Sequence, residues 1–200
     1  MKSTVNEIER KIKRNRRGKI YFAADFATFG SHKSLNKALE RLTGSGLLVR
    51  FAQGIYLYPK IDTKLGLGIL YPTIETIANE IAKRDKARIV PTGDYALHVL
   101  GLSTQIPLNV VFLTDGTART INIGNGKGIL FKRTVPKNLS FKSERLMLVA
   151  SALKEIGNGN VTEQQLEKIK TILLQEDKQK ILGDLDLLPA WIRKILNSIL

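Results

Sequence analysis

The chain has 200 residues, enough for one or two domains, and 43% of them are hydrophobic, enough for packed cores. It holds 32 Lys and Arg against 18 Asp and Glu, a net charge of +14, and no cysteine, which excludes a disulfide framework and a thiolate zinc site. The N-terminus MKSTVNEIERK lacks the apolar core of a signal peptide, and the richest apolar run, LMLVASAL, is far short of the about 20 residues a membrane span needs. A cytoplasmic protein without a membrane partner is expected.

The charge is uneven. Residues 1–60 carry 13 Lys and Arg against 4 Asp and Glu, an excess of nine, and the other 140 residues carry an excess of five. A positive field concentrated in the first third suits a polyanion such as nucleic acid.

The first predicted element is a helix over about 4–14. Thr4 and Glu7 have capping-box spacing, and Val5, Ile8 and Ile12 form an inward stripe. Arg10, Lys11, Lys13, Arg14, Arg16, Arg17 and Lys19 crowd its end, where cations suit a helix C-terminus and are equally placed to touch phosphates. Ile20 to Phe22 reads as a short strand or extended link, Ala23 to Ala27 as a short helix with Phe26 inward, and Thr28 to Gly30 as a turn.

Residues 31–58, SHKSLNKALERLTGSGLLVRFAQGIYLY, read as a helix, a glycine turn and a tight hairpin. Ser31 caps the helix, and Leu35, Ala38, Leu39 and Leu42 recur at helical spacing. His32, Lys33, Asn36, Lys37, Glu40 and Arg41 fall on the other faces. LLVRFA and IYLY are β-rich runs around Gln53-Gly54, a two-residue hairpin signal. Helix, short helix, turn, polar helix and hairpin is the plan of a winged helix-turn-helix that docks on DNA. Lys33, Asn36, Lys37 and Arg41 stand three and four apart, and Asn suits adenine while Lys and Arg suit guanine in the major groove. His32 and Lys33 occupy the first turn, and Arg50 and Gln53 are the outward polar residues of the wing. Tyr56 and Tyr58 are expected to pack rather than to stack on bases.

Pro59 ends the wing, and 61–68 is the expected junction. Beyond it, a helix begins near Pro72 with Ile74, Ile77, Ala78 and Ile81 inward. ARIVP is a short strand ended by its proline, and Gly93 to Leu100 is a helix terminated by Gly101. Asn109 to Leu113, apolar after its first residue, is a central strand, followed by a turn at Asp115-Gly116. Arg119 to Ile123 and Ile129 to Arg133 are strands joined by GNGKG, whose spacing and strand context do not match a phosphate loop. The tail is helical: Ser143 caps 144–156, Thr162 and Gln165 make a capping box for a helix to about 175, and two more helices cover 177–182 and 189–200. The fold class expected is α+β, with a winged helix-turn-helix over 1–60 and a mixed α/β domain with a small sheet and a helical tail over 69–200.

No pattern of catalysis stands out. Glu75, Glu80, Asp94 and Asp115 lack a diagnostic metal-site spacing, and with only His32 and His98 an all-histidine site is impossible. His98 is expected to be a satisfied core histidine. The expectation is no enzyme, no metal and no cofactor. The alternatives are a metal-dependent nuclease using Asp115, or a ligand-sensing repressor, either one brought to DNA by the wing.

PTGDYALHVLGLSTQIP at 91–107, VVFLTDGTARTINIG at 110–124 and ILFKRTVPKNL at 129–139 resemble the AbiEi-type antitoxins of bacterial abortive-infection systems, the type IV toxin–antitoxin class. Asp25-Phe26, LNKALERLTGSGLLVR and GIYLYP at 54–59 are similar to the winged helix of that family. The resemblance implies an antitoxin encoded beside a nucleotidyltransferase-like toxin, whose winged helix represses the shared operon by binding repeats in its own promoter. It also implies that the C-terminal domain counters the toxin without a stable complex. By position, Lys33, Lys37, Arg41, Arg50 and Gln53 fall where the DNA-facing helix and wing of the family lie. Thr92, Gly93, Tyr95, Leu102, Asp115, Gly116 and Arg119 match the second-domain motif.

Overall fold

A computed structural model of the chain describes residues 3–124 and 127–199. The fold is mixed α+β with small sheets. The chain divides into two compact units, Met1–Glu80 with Asn122–Asn125, and Ile81–Ile121 with Gly126–Leu200.

In the N-terminal unit, α1 (Thr4–Lys13) buries Ile8 and Ile12, two helical turns of one apolar stripe. Its N-cap is Ser3, not Thr4, and no side chain caps it. Thr4 Oγ1 instead donates to the carbonyl of Phe29 at 3.1 Å, tying the helix start to a distant turn, so the expected capping box does not form. β1 (Ile20–Phe22) is followed by a 3₁₀ segment, Ala23–Phe29, that is longer than the expected short helix and wound more tightly. α2 (His32–Gly44) turns Leu35, Ala38, Leu39 and Leu42 inward. β2 (Val49–Ala52) and β3 (Ile55–Leu57) form the hairpin about Gln53-Gly54, and β1 pairs antiparallel on the other side of β3. All three residues of the central strand β3 are buried, and Tyr56 and Tyr58 join the core as expected. Val5 is only partly buried against that core.

The stretch 61–68, read as a junction, lies within a second, two-stranded sheet of β4 (Lys60–Asp62) and β5 (Gly68–Leu70). Asp62 Oδ1 accepts from the backbone of Lys64 and Leu65, a local turn that proximity in sequence makes cheap.

α3 (Ile74–Asp85) carries the division between the units after Glu80. The C-terminal unit contains β6 (Ile89–Thr92), α4 (Asp94–Val99), β7 (Asn109–Thr114), β9 (Lys127–Arg133) and, of β8 (Arg119–Gly124), the residues up to Ile121. The strand order is β6-β7-β9-β8, with β7 antiparallel to β6 and parallel to β9. Pro91 does not end β6: it pairs with Phe112, and Thr92 continues the strand. β6 is an edge strand, where a residue without an N–H is tolerated. The GNGKG stretch at 124–128 includes Asn125 and Gly126, which lie outside the described residues.

α5 (Glu144–Ile156) packs on β6 and α4 and joins α6 (Glu163–Leu174), α7 (Lys178–Asp184) and α8 (Ala190–Ile199) in one apolar cluster. Its start is built twice over. Ser143 Oγ accepts from Leu146 N at 3.0 Å, and buried Asp184 Oδ2 accepts from Lys142 N at 2.7 Å and Ser143 N at 2.8 Å. The free N–H groups and positive dipole end of a helix are what such a buried carboxylate requires.

Candidate nucleic-acid interface

α2 starts at Ser31, whose Oγ accepts from Ser34 N, and its buried stripe leaves two exposed stripes one residue apart. The first is His32, Asn36, Glu40 and Thr43. These four line one wall of a groove of about 580 Å³, and Arg50 and Gln53 of the hairpin line the other. Asn36 Nδ2 lies 3.3 Å from His32 Nδ1. The second stripe is Lys33, Lys37 and Arg41, four residues apart and exposed. None of these three cations has an ion pair among the described residues. The structure therefore separates residues that the sequence reading grouped together. Only the first stripe faces the groove, and the cations stand further round the helix.

The hairpin needs an irregularity to present its two polar residues together. Strict alternation would send Arg50 and Gln53 to opposite faces. The β2–β3 register instead shifts between Arg50 and Ala52, a bulge at Phe51, and both Arg50 and Gln53 then line the groove. The Phe51 ring packs against Tyr71 at 5.8 Å, which occupies the extra residue.

The basic run after α1 is used in two ways. Arg14 and Arg16 are exposed and make no ion pair among the described residues, and Arg10 and Arg14 line a second cleft of about 340 Å³ with Phe29. Arg17 is engaged within the unit. Its Nη1 donates to the Pro59 carbonyl at 3.0 Å, and its guanidinium lies 4.9 Å from the Tyr58 ring centre. Lys11 donates to the carbonyl of Asp25 and stands over Phe26 and Phe29, and Lys13 pairs with Glu9.

Sequence reasoning left out Glu40 and Thr43 as interface residues. The signal was present: with His32 and Asn36 they keep the 3- and 4-residue spacing of one helix face. Which face the hairpin would meet was not encoded locally.

The second-domain motif residues do not gather into a reactive cluster. Thr92 ends β6 opposite Val111, and Gly93 precedes α4 with φ 64°, a left-handed backbone that favours glycine. The Tyr95 ring meets Phe112 edge-on at 5.6 Å and stacks on His98 at 6.3 Å. His98 is half-buried, and its buried Nδ1 has no hydrogen-bond partner among the described residues, so it is not the satisfied core histidine expected.

Asp115 Oδ1 accepts from Arg88 N and Oδ2 from Arg88 Nε, both at 2.8 Å, and these hydrogen bonds hold its carboxyl below the ordinary carboxylate range. Arg88 also reaches the Leu139 carbonyl at 2.9 Å. Arg119 pairs with Asp85 and lies 5.6 Å from the centre of the Phe131 ring. Burial raises the Asp85 carboxyl, but hydrogen bonds from Arg84 and Arg119 outweigh it, and the net shift is downward. A Cβ on Gly116 would stand 2.7 Å from Ala87 Cβ, so this close approach requires glycine. Thr114, Asp115, Gly116 and Arg119 thus lock the turn between α3 and β6.

Among the described residues, no three His, Asp or Glu side chains gather as metal ligands, and no helix is long and apolar enough to cross a membrane.

Comparison with known proteins adds a family. The Family of unknown function (DUF6088) matches residues 7–181. No curated protein matches. The crystal structure of the RV2827C protein from Mycobacterium tuberculosis superposes with a TM-score of 0.47 at 13% identity, covering 99% of this chain and 82% of that one.

Proposed function

The chain belongs to this family of unknown function, and we propose that its N-terminal unit is a winged helix-turn-helix that binds double-stranded DNA. In this reading the protein sits on repeats in its own promoter and represses the operon. The whole chain is the cytoplasmic antitoxin of a two-gene phage-defence system and counteracts a nucleotidyltransferase-like toxin.

One observation carries the DNA half: α2 presents three exposed cations, Lys33, Lys37 and Arg41, with no ion pair among the described residues, beside a groove walled by polar side chains of helix and hairpin. A B-DNA major groove is about 12 Å wide and admits one α-helix, and a stripe of cations along one flank of that helix meets the phosphates bordering that side of the groove. The antitoxin half is supported by the resemblance over residues 91–139. Arg88–Asp115 and Asp85–Arg119 give four of those or neighbouring residues a scaffolding role within it.

A gel shift with the upstream duplex, run at two salt concentrations, tests the DNA half. Binding should weaken steeply with salt, as counterion release demands. If Lys33→Ala, Lys37→Ala, Arg41→Ala together leave affinity and salt slope unchanged, the recognition-helix reading is wrong. Co-expression with the neighbouring gene, scored for growth rescue, tests the antitoxin half. The triple variant should still rescue under an independent promoter, because the toxin-countering part lies elsewhere.

A further inference from the structure

Glu40 sits badly on a surface meant for a polyanion. It is exposed on the groove wall next to Asn36 and Thr43, and it has no ion pair among the described residues although Lys37 and Arg41 flank it. A carboxylate facing phosphates is repelled, so it weakens any binding that rests on the backbone alone. In the major groove, the group it can accept from is an exocyclic amino group, cytosine N4 above all. Asn36, one turn earlier on the same wall, has its Nδ2 3.3 Å from His32 Nδ1, which leaves its Oδ1 as an acceptor. The wall therefore offers two acceptors four residues apart, and the donors stand opposite at Arg50 and Gln53. Four residues rise about 6 Å along a helix, close to two base-pair steps.

We propose that Glu40 sets the base preference of this chain. Its carboxylate accepts a hydrogen bond from the N4 amino group of a cytosine and disfavours any duplex that offers a carbonyl or methyl group at that position. Lys33, Lys37 and Arg41 supply affinity without sequence, and Glu40 subtracts from it everywhere except at the matching site. The proposal rests on the duplex-binding reading above.

Selection from a pool of randomised duplexes, by wild type, Glu40→Gln and Glu40→Ala, tests it. The wild-type pool should show cytosine at one position, preferred by about tenfold or more, the size of one mismatched pair. Glu40→Ala should lose that preference while keeping the rest of the motif, and its affinity for random duplex should rise about threefold as the repulsion goes. Glu40→Gln should move the position towards adenine, which a side-chain amide reads. A motif that both variants retain unchanged overturns the role of Glu40 and leaves duplex binding standing. A wild type that retains duplex but enriches no motif overturns the role of Glu40 alone, and one that retains no duplex overturns the duplex-binding reading and this proposal with it. Glu40 is exposed, so both variants should melt like wild type, and circular dichroism confirms it.

Discussion

The two units use the same cation chemistry in opposite ways. In the C-terminal unit four arginines pair with aspartates, Arg84 and Arg119 with Asp85, Arg88 with Asp115 and Arg193 with Asp186, while Arg133 and Arg145 are exposed. Among the described residues the N-terminal unit has the ion pair Lys13–Glu9, and exposed Lys33, Lys37, Arg41, Arg14 and Arg16 have none. Paired cations fix loops and cancel their own field. Unpaired ones leave the field for a partner. Net charge alone does not separate these uses, because an arginine counts the same in both places.

Breaking the unpaired side should have the largest effect, and on binding only. The triple variant Lys33→Ala, Lys37→Ala, Arg41→Ala should lower duplex affinity on the order of 100-fold and reduce the salt slope by about three units, one per lost phosphate contact. Titration at several salt concentrations measures both, and the melting curve should not move.

Breaking the inward carboxylate of the tail should do the reverse. Asp184→Ala leaves the part-buried N–H of Lys142 and the buried N–H of Ser143 without this acceptor, at a cost of about 3 kcal/mol of stability. Urea unfolding reads this, and duplex affinity should hold. Asp115→Ala is milder, about 2 kcal/mol, because its site is partly solvated and Arg88 can turn to water. An Asp115→Ala protein with unchanged stability would show that the arginine pairs of this unit are ornamental, and the contrast would collapse.

The smallest effects are in pH. Hydrogen bonds lower the Asp115 carboxyl and, net of burial, the Asp85 carboxyl, so both stabilise the fold above the ordinary carboxylate pKa of about 4 and cease to do so as pH falls through their lowered values. Asp115→Asn should flatten that acid limb of the stability curve. Burial pushes the Tyr21 phenol of the N-terminal unit up to about 12. The neutral phenol is the form the fold favours, so its contribution is complete below about pH 10 and lost as pH rises through 12. Ultraviolet titration should show a late-ionising tyrosine, and Tyr21→Phe should remove that step.

Much of the local structure was legible in the residues. Ser143 and Thr162 mark helix starts because a hydroxyl at that spacing satisfies an otherwise free N–H, and Gln53-Gly54 marks the hairpin because glycine supplies its turn. Thr4 misled for the same reason: its spacing was right, but the Phe29 carbonyl, distant in sequence, claimed the hydroxyl. Pro91 misled because whether a proline ends a strand depends on whether that strand lies at an edge.

The sequence by itself therefore determined most helices and strands, though not the β4–β5 pair read as a junction, and which residues of α2 are apolar or charged, since caps and periodicity act over a few residues. Only the tertiary structure decided the parallel pairing of β7 with β9 and the bulge that brings Arg50 beside Gln53. It also decided the division of α2 into a groove-facing stripe with Glu40 and a solvent-facing stripe of cations. Each of these depends on segments distant in the chain meeting in space, and no local pattern of residues specifies which face a helix will offer to a neighbour it has yet to meet.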